Sequence, residues 1–142
     1  MKIEIFPYIG FDEIKFGFTR GQIRSLINDI VNPFYRTKES KIATDSFDSL
    51  GIFINYDETD RCEAIEFVRP LVEPFFLNKN LFGLSYSNLL DWFHGLDDNI
   101  DEFDAGFTSF KYGIGFYAPD KIEDPNLPCE GMIIFREGYY DD

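Results

Sequence analysis

An internal echo limits what this chain can fold into more than any other feature of its sequence. "IKFGFTRGQIRSLI" starts at Ile14, and "NLFGLSYSNLLDWF" starts at Asn80. At a spacing of 66, Phe16 matches Phe82, Gly17 matches Gly83 and Thr19 matches Ser85. Thr19 and Ser85 are both good helix N-caps, because a short hydroxyl side chain can take up an orphan backbone N–H. Behind them Ile23, Leu26, Ile27 and Ile30 recur as Leu89, Trp92, Phe93 and Leu96. The i, i+3, i+4, i+7 spacing puts each set on one face of a helix. Later, "GIFINYD" (51–57) is echoed by "GIGFYAPD" (113–120), and "CEAIEF" (62–67) by "CEGMIIF" (129–135). The chain therefore reads as a single domain, 1–142, made of two repeats at approximately 1–70 and 75–142.

The expected class is α+β: a tandem pseudo-repeat of a helix plus antiparallel strands, in one curved sheet or two abutting sheets, with the helices packed on one side of the sheet. Residues 2–8 read as a strand. The first helix is expected at about 19–31, stopped by Pro33, and the second at about 86–95, capped by Gly95. One strand is expected near Tyr35–Thr44. A hairpin is expected over 50–56 and 62–69, and "RPLVEPFF" (69–76) reads as an extended linker. Strands near 105–112, 113–118 and 130–137 complete the second half. Cys62 and Cys129 each open the last strand of a repeat, as small apolar residues rather than a catalytic pair. With helices on one face, the other face is open, and Phe53, Tyr56, Tyr117, Tyr139 and Tyr140 are candidates to line it.

Charge narrows the partners. There are 13 Lys+Arg against 26 Asp+Glu, a net of −13, and residues 91–142 hold 13 acids against 3 bases. A nucleic acid or an anionic membrane would be repelled, whereas a basic protein would be drawn in. No apolar run reaches the ~20 residues of a membrane span, and the alternating N-terminus reads as a strand rather than an export signal, so the expected compartment is the cytoplasm.

Motifs for chemistry are sparse. His94 is the only histidine, at the end of a predicted helix where a cation suits the dipole. With two cysteines far from it, neither a zinc site nor a nucleophile–histidine machine is assembled by the sequence. Phosphate-binding glycine loops are missing, since "GIG" at 113–115 lacks the third glycine. "DDNIDEFDAGF" begins like a calcium loop at Asp97, Asn99 and Asp101. Glu102 then stands where a glycine is needed, and Thr108 where a bidentate glutamate is needed. No catalytic residue, cofactor or metal is assigned.

The strings quoted above, with "GIGFYAP" and the terminal "GYYDD", resemble a group of small acidic bacterial proteins that act as immunity proteins of polymorphic toxin and contact-dependent growth inhibition systems. The layout is also similar to small α/β modules of outer-membrane assembly lipoproteins and to two-repeat β-lactamase inhibitory proteins, from which it departs in having no lipobox or export signal. The resemblance implies a cytoplasmic binder that neutralises a cognate toxin domain, with a basic nuclease as the expected target, by blocking its active site or substrate groove. The charged part of the expected interface is Asp97, Asp98, Asp101, Glu102 and Asp104. Phe103, Phe107, Tyr139 and Tyr140 are its aromatic part, with Asp141 and Asp142 as rim charges. The alternative is a carboxylate-dependent enzyme acting on a small molecule or glycan in a cleft between the repeats. A self-associating scaffold is a third class.

Overall fold

A computed structural model describes residues Met1–Asp141 and gives an α+β fold, with two helices packed against two sheets. The helices begin where the sequence echo places them. In α1 (Arg20–Ile27) the Thr19 hydroxyl accepts from the Gln22 N–H, and the Gln22 side chain accepts from the Thr19 N–H, a reciprocal capping box. In α2 (Tyr86–Leu96) the Ser85 hydroxyl accepts from the Asn88 N–H at 3.1 Å. The ends differ from expectation. α1 stops at Ile27 because Asn28 turns left-handed (φ 49°) and donates its N–H to Arg24 O. Ile30 therefore leaves the helical stripe and is 76% exposed. Gly95 lies inside α2, and Asp97 caps it.

The large sheet has the order β10 (Asp101–Phe103), β11 (Gly106–Ser109), β12 (Ile114–Tyr117), β13 (Gly131–Phe135), β7 (Cys62–Val68), β6 (Ile52–Tyr56), β5 (Thr44–Phe47), β4 (Asn32–Phe34). Every pairing is antiparallel. The segment 35–43, expected to carry a strand, contains none, and the strand turns up earlier, with Pro33 inside β4. An edge strand tolerates proline because its missing N–H faces no partner. The order reads the same from both ends about the β7–β13 seam. There the Arg69 N–H donates to Glu130 O and the Arg136 N–H to Glu63 O, both at 3.0 Å. Those two bonds are images of each other at a spacing of 67, so a pseudo-twofold axis passes through the Glu66↔Ile133 pair.

Loop geometry repeats too. Gly51 (φ 69°) and Gly113 (φ 68°) hold the same left-handed turn, which a side chain would strain. Their N–H groups donate to Phe47 O and Ser109 O, and their carbonyls accept from the Val68 and Phe135 N–H groups.

A second, five-stranded sheet packs on the helix-bearing face of the first. Its order is β3 (Ile14–Lys15), β2 (Gly10–Phe11), β1 (Lys2–Phe6), β8 (Glu73–Phe76), β9 (Lys79–Asn80). The expected linker 69–76 thus contains a strand, β8, over Glu73–Phe76. Two short hairpins, β2–β3 and β8–β9, flank β1, which runs antiparallel to β2 and parallel to β8. Ile3 and Ile5 of β1 are buried, and Phe11 meets Phe67 edge to face at 5.2 Å, joining the layers.

Under that shared frame the halves pack differently. At a spacing of 62, Asp45 of β5 and Phe107 of β11 hold the same place beneath their helices, facing Ile54 and Phe116 respectively. Both are fully buried. Phe107 meets rings of Tyr86, Phe93 and Phe116. Asp45 instead accepts from Arg20 at 2.8 Å and Arg24 at 2.7 Å, and from the Tyr56 hydroxyl at 3.1 Å. Arg20 also lies 4.0 Å over the Tyr56 ring. Burial alone would raise the Asp45 pKa, but the Arg24 hydrogen bond and the charges of Arg20 and Arg24 outweigh it, so the carboxyl sits below its ordinary range.

Asp45→Ala strands the Arg24 guanidinium and the Tyr56 hydroxyl, leaves Arg20 with Asp60 and Ala43 O alone, and is expected to lower the unfolding free energy by about 3 kcal/mol in urea titrations. The depressed carboxyl contributes stability that is complete above the ordinary aspartate value of about 3.9 and is lost as pH falls through the lower folded value. The variant should therefore lose less stability than the parent chain on acidification below that value.

Candidate functional site

The face of the large sheet turned away from the helices carries the most distinctive surface. Strand pairing sets two rows of side chains across it. One row runs Phe103, Gly106, Tyr117, Gly131, Val68, and the next runs Asp101, Thr108, Gly115, Ile133, Glu66. Rings thus alternate with glycines, and a groove of about 250 Å³ opens between Phe103, Tyr117, Val68 and Tyr140 with backbone as part of its floor. Phe103, Tyr117 and Tyr140 are about half exposed.

The other half shows why the groove is one-sided. At the spacing of 62, Gly115 stands where the first repeat has Phe53, whose ring packs edge to face on Phe34. A Cβ at Gly115 would come within 3.0 Å of Ile133 Cγ2. Over the first half Arg36 closes the surface, donating to Asn55 at 3.0 Å and pairing with Glu66. Of the rings expected on this face, Phe53, Tyr117, Tyr139 and Tyr140 are there. Tyr56 is not, since its register with Cys62 turns it inward to Asp45.

The acidic stretch 97–104 is distributed rather than gathered. Asp97 is buried, where Ser109 donates to it at 2.7 Å and the Asn99 N–H at 2.9 Å. Burial works against its charge, but the Ser109 hydroxyl and the backbone N–H groups of Asn99 and Lys111 hold its pKa low. It ends a helix and cannot meet a partner. Phe107 is likewise core, because β11 alternation points it under α2. Glu102 faces the opposite way from the groove and lies 3.6 Å from His94, an ion pair when the imidazole is protonated. Asp101 and Phe103 share the open face. Asp98 and Asp104 are exposed at the ends of the β10 hairpin, which Lys121 ties down by donating to Phe103 O at 2.6 Å.

The C-terminal segment completes the groove. Tyr140 meets Phe135 edge to face at 4.9 Å, and Tyr139 stacks on it at 5.9 Å. Burial raises the hydroxyl pKa of both, so they remain neutral donors. Asp141 is exposed beside them, and Asp142 lies outside the described residues. Phe103 and Tyr140, distant in sequence, are thereby brought to one groove. Tyr117, expected on the open face, joins them, as do Val68, Gly115 and Gly131, which were not expected there. The two-residue period of "GIGFY" and "GMIIF" carries that signal once the sheet parity is known.

Among the described residues no cluster of three or more His, Cys, Asp or Glu stands ready to hold a metal ion, and no helix is long and apolar enough to cross a membrane. The arrangement offers apolar faces, backbone floor and rim carboxylates, which suits the uptake of a chain segment. Cys62 and Cys129 are fully buried free thiols, and burial pushes each pKa up to about 12. Neither is expected to react with a disulfide reagent at pH about 8 in the native protein, whereas both should react once it is unfolded in denaturant. Comparisons with protein-family models, curated proteins and solved structures give no match.

Proposed function

We propose that this protein is an inhibitor that binds another protein through the open sheet face, as an immunity protein binds its toxin. The observation that supports this best is the row Phe103–Gly106–Tyr117–Gly131–Val68, two half-exposed rings and a valine separated by glycine gaps beside Asp101. Half-exposed aromatic side chains with few rotatable bonds are the usual anchors of a protein interface, and a carboxylate rim adds steering rather than affinity. The chain's net charge of −13 favours a basic target. On this reading the rings seat a segment of the toxin domain, while Asp98, Asp101, Asp104 and Asp141 stand near its cationic surface. Asp97 and Phe107 serve the fold.

The test is co-expression with the product of each neighbouring gene, followed by co-purification and growth protection against any that is toxic. Phe103→Ala and Tyr117→Ala should each weaken the complex by about 2 kcal/mol, roughly thirtyfold in Kd. Asp45→Asn, remote from the groove, should leave the Kd of the folded protein unchanged. Raising the salt concentration should slow association steeply with little change in the dissociation rate. Failure of every neighbouring product to bind rejects the inhibitor reading. Binding that ignores Phe103 and Tyr117 rejects this face.

A further inference from the structure

The pseudo-symmetry exposes a second vacancy, on the helix side of the molecule and in the other repeat. In the second half, Phe76, Trp92, Phe93 and Tyr112 form one aromatic cluster. Phe76 lies 6.1 Å from Trp92 and 5.3 Å from Tyr112, and Trp92 lies 5.3 Å from Phe93. Each has an image in the first half. The β2–β3 and β8–β9 hairpins pair alike, Phe11↔Ile14 and Phe76↔Lys79, so Phe11 is the image of Phe76. The capped helices match Leu26 to Trp92 and Ile27 to Phe93, and the glycine turns match Leu50 to Tyr112.

Three rings of the four are thus replaced by smaller aliphatic side chains. The backbone frame is kept, so the missing volume appears as space: Phe11, Leu26, Ile27, Leu50 and Ile52 line a surface groove of about 410 Å³. Leu26 is left 45% exposed. The rim differs in charge as well. Where the second half has Lys79 5.6 Å over the Trp92 ring, the first half has Ile14, and Asp12 and Glu13 line the groove.

We propose that this groove is a docking site for an aromatic side chain flanked by lysine or arginine on a partner polypeptide. The occupant restores what the second repeat supplies from within: a ring between the helix and the hairpin, with a cation beside it. The two carboxylates at the rim supply the complementary charge. The site does not depend on the open-face groove, which lies on the opposite side of the large sheet.

The experiment is methyl NMR of the full chain titrated with a blocked lysine–tryptophan–lysine tripeptide, with lysine–alanine–lysine and glutamate–tryptophan–glutamate as controls. Saturable shifts are expected at the Leu26, Ile27, Leu50 and Ile52 methyls with the first peptide alone. Filling the groove with Leu26→Trp and Leu50→Tyr should weaken binding at least about tenfold, or 1.4 kcal/mol. Should that variant fold poorly, Asp12→Asn with Glu13→Gln tests the rim separately and should weaken binding roughly threefold. Equal binding of the acidic peptide, undiminished binding to the filled variant, shifts at Val68 and Ile133 instead, or no saturable shift at all would each overturn the proposal. The first two and the last leave the open-face reading untouched, because its reporters are different methyls.

Discussion

The seam between β7 and β13 is the contact on which everything else rests. Taken alone, each half would end in an open strand edge presenting unpaired N–H and C=O groups. Pairing the two edges satisfies both ladders and fixes the relation of the halves in the same act. Register then follows without freedom, since sliding β13 by one residue would turn Ile134 and Met132 out of the core and Ile133 into it. The second sheet, both helices and both grooves inherit their positions from that pairing.

On this shared frame the two repeats solve the same packing problem with different chemistry. Beneath α2 the answer is a run of rings centred on Phe93 and Phe107. Beneath α1 it is a buried carboxylate held by two arginines from successive turns. An ion pair in the interior is directional, and it is weak evidence of added stability, because desolvation offsets much of the attraction. What it does is position α1 over β5 while leaving the neighbouring apolar sites lightly filled. The second repeat makes the reverse choice: its helix side is crowded with rings, and its sheet face is thinned to glycine at Gly115.

Much of this was legible in the sequence where the signal was local and periodic. Both N-caps and the equivalence of Cys62 with Cys129 follow from spacing alone, and the α+β class follows from the mixture of periods 3.6 and 2. The failures have physical causes. Asn28 ends α1 through a left-handed turn that its apolar pattern does not announce, so the first helix reads too long. Pro33 reads as a terminator but lies in an edge strand, where its lost donor has no consequence. Asp97 and Phe107 read as interface because they sit among exposed acids. Only the pairing of β10 with β11 reveals that one side of that hairpin is core. The rows across the open face depend on cross-strand register, which no single stretch encodes.

One strand breaks the symmetry. β1 lies on the pseudo-axis of the smaller sheet, between two hairpins that are images of each other. A site on a twofold axis can hold one strand, not two. A symmetric pair of identical half-length chains would therefore bring two candidates for one berth and leave one displaced. In this chain the matching stretch starts at Val68, the last residue of β7, and its remainder, Arg69 to Val72 with Pro70, forms the crossing between repeats instead. Joining the two repeats in one chain thus avoids a stoichiometric conflict that a dimer of halves would have, with residues 69–72 as the tether between them.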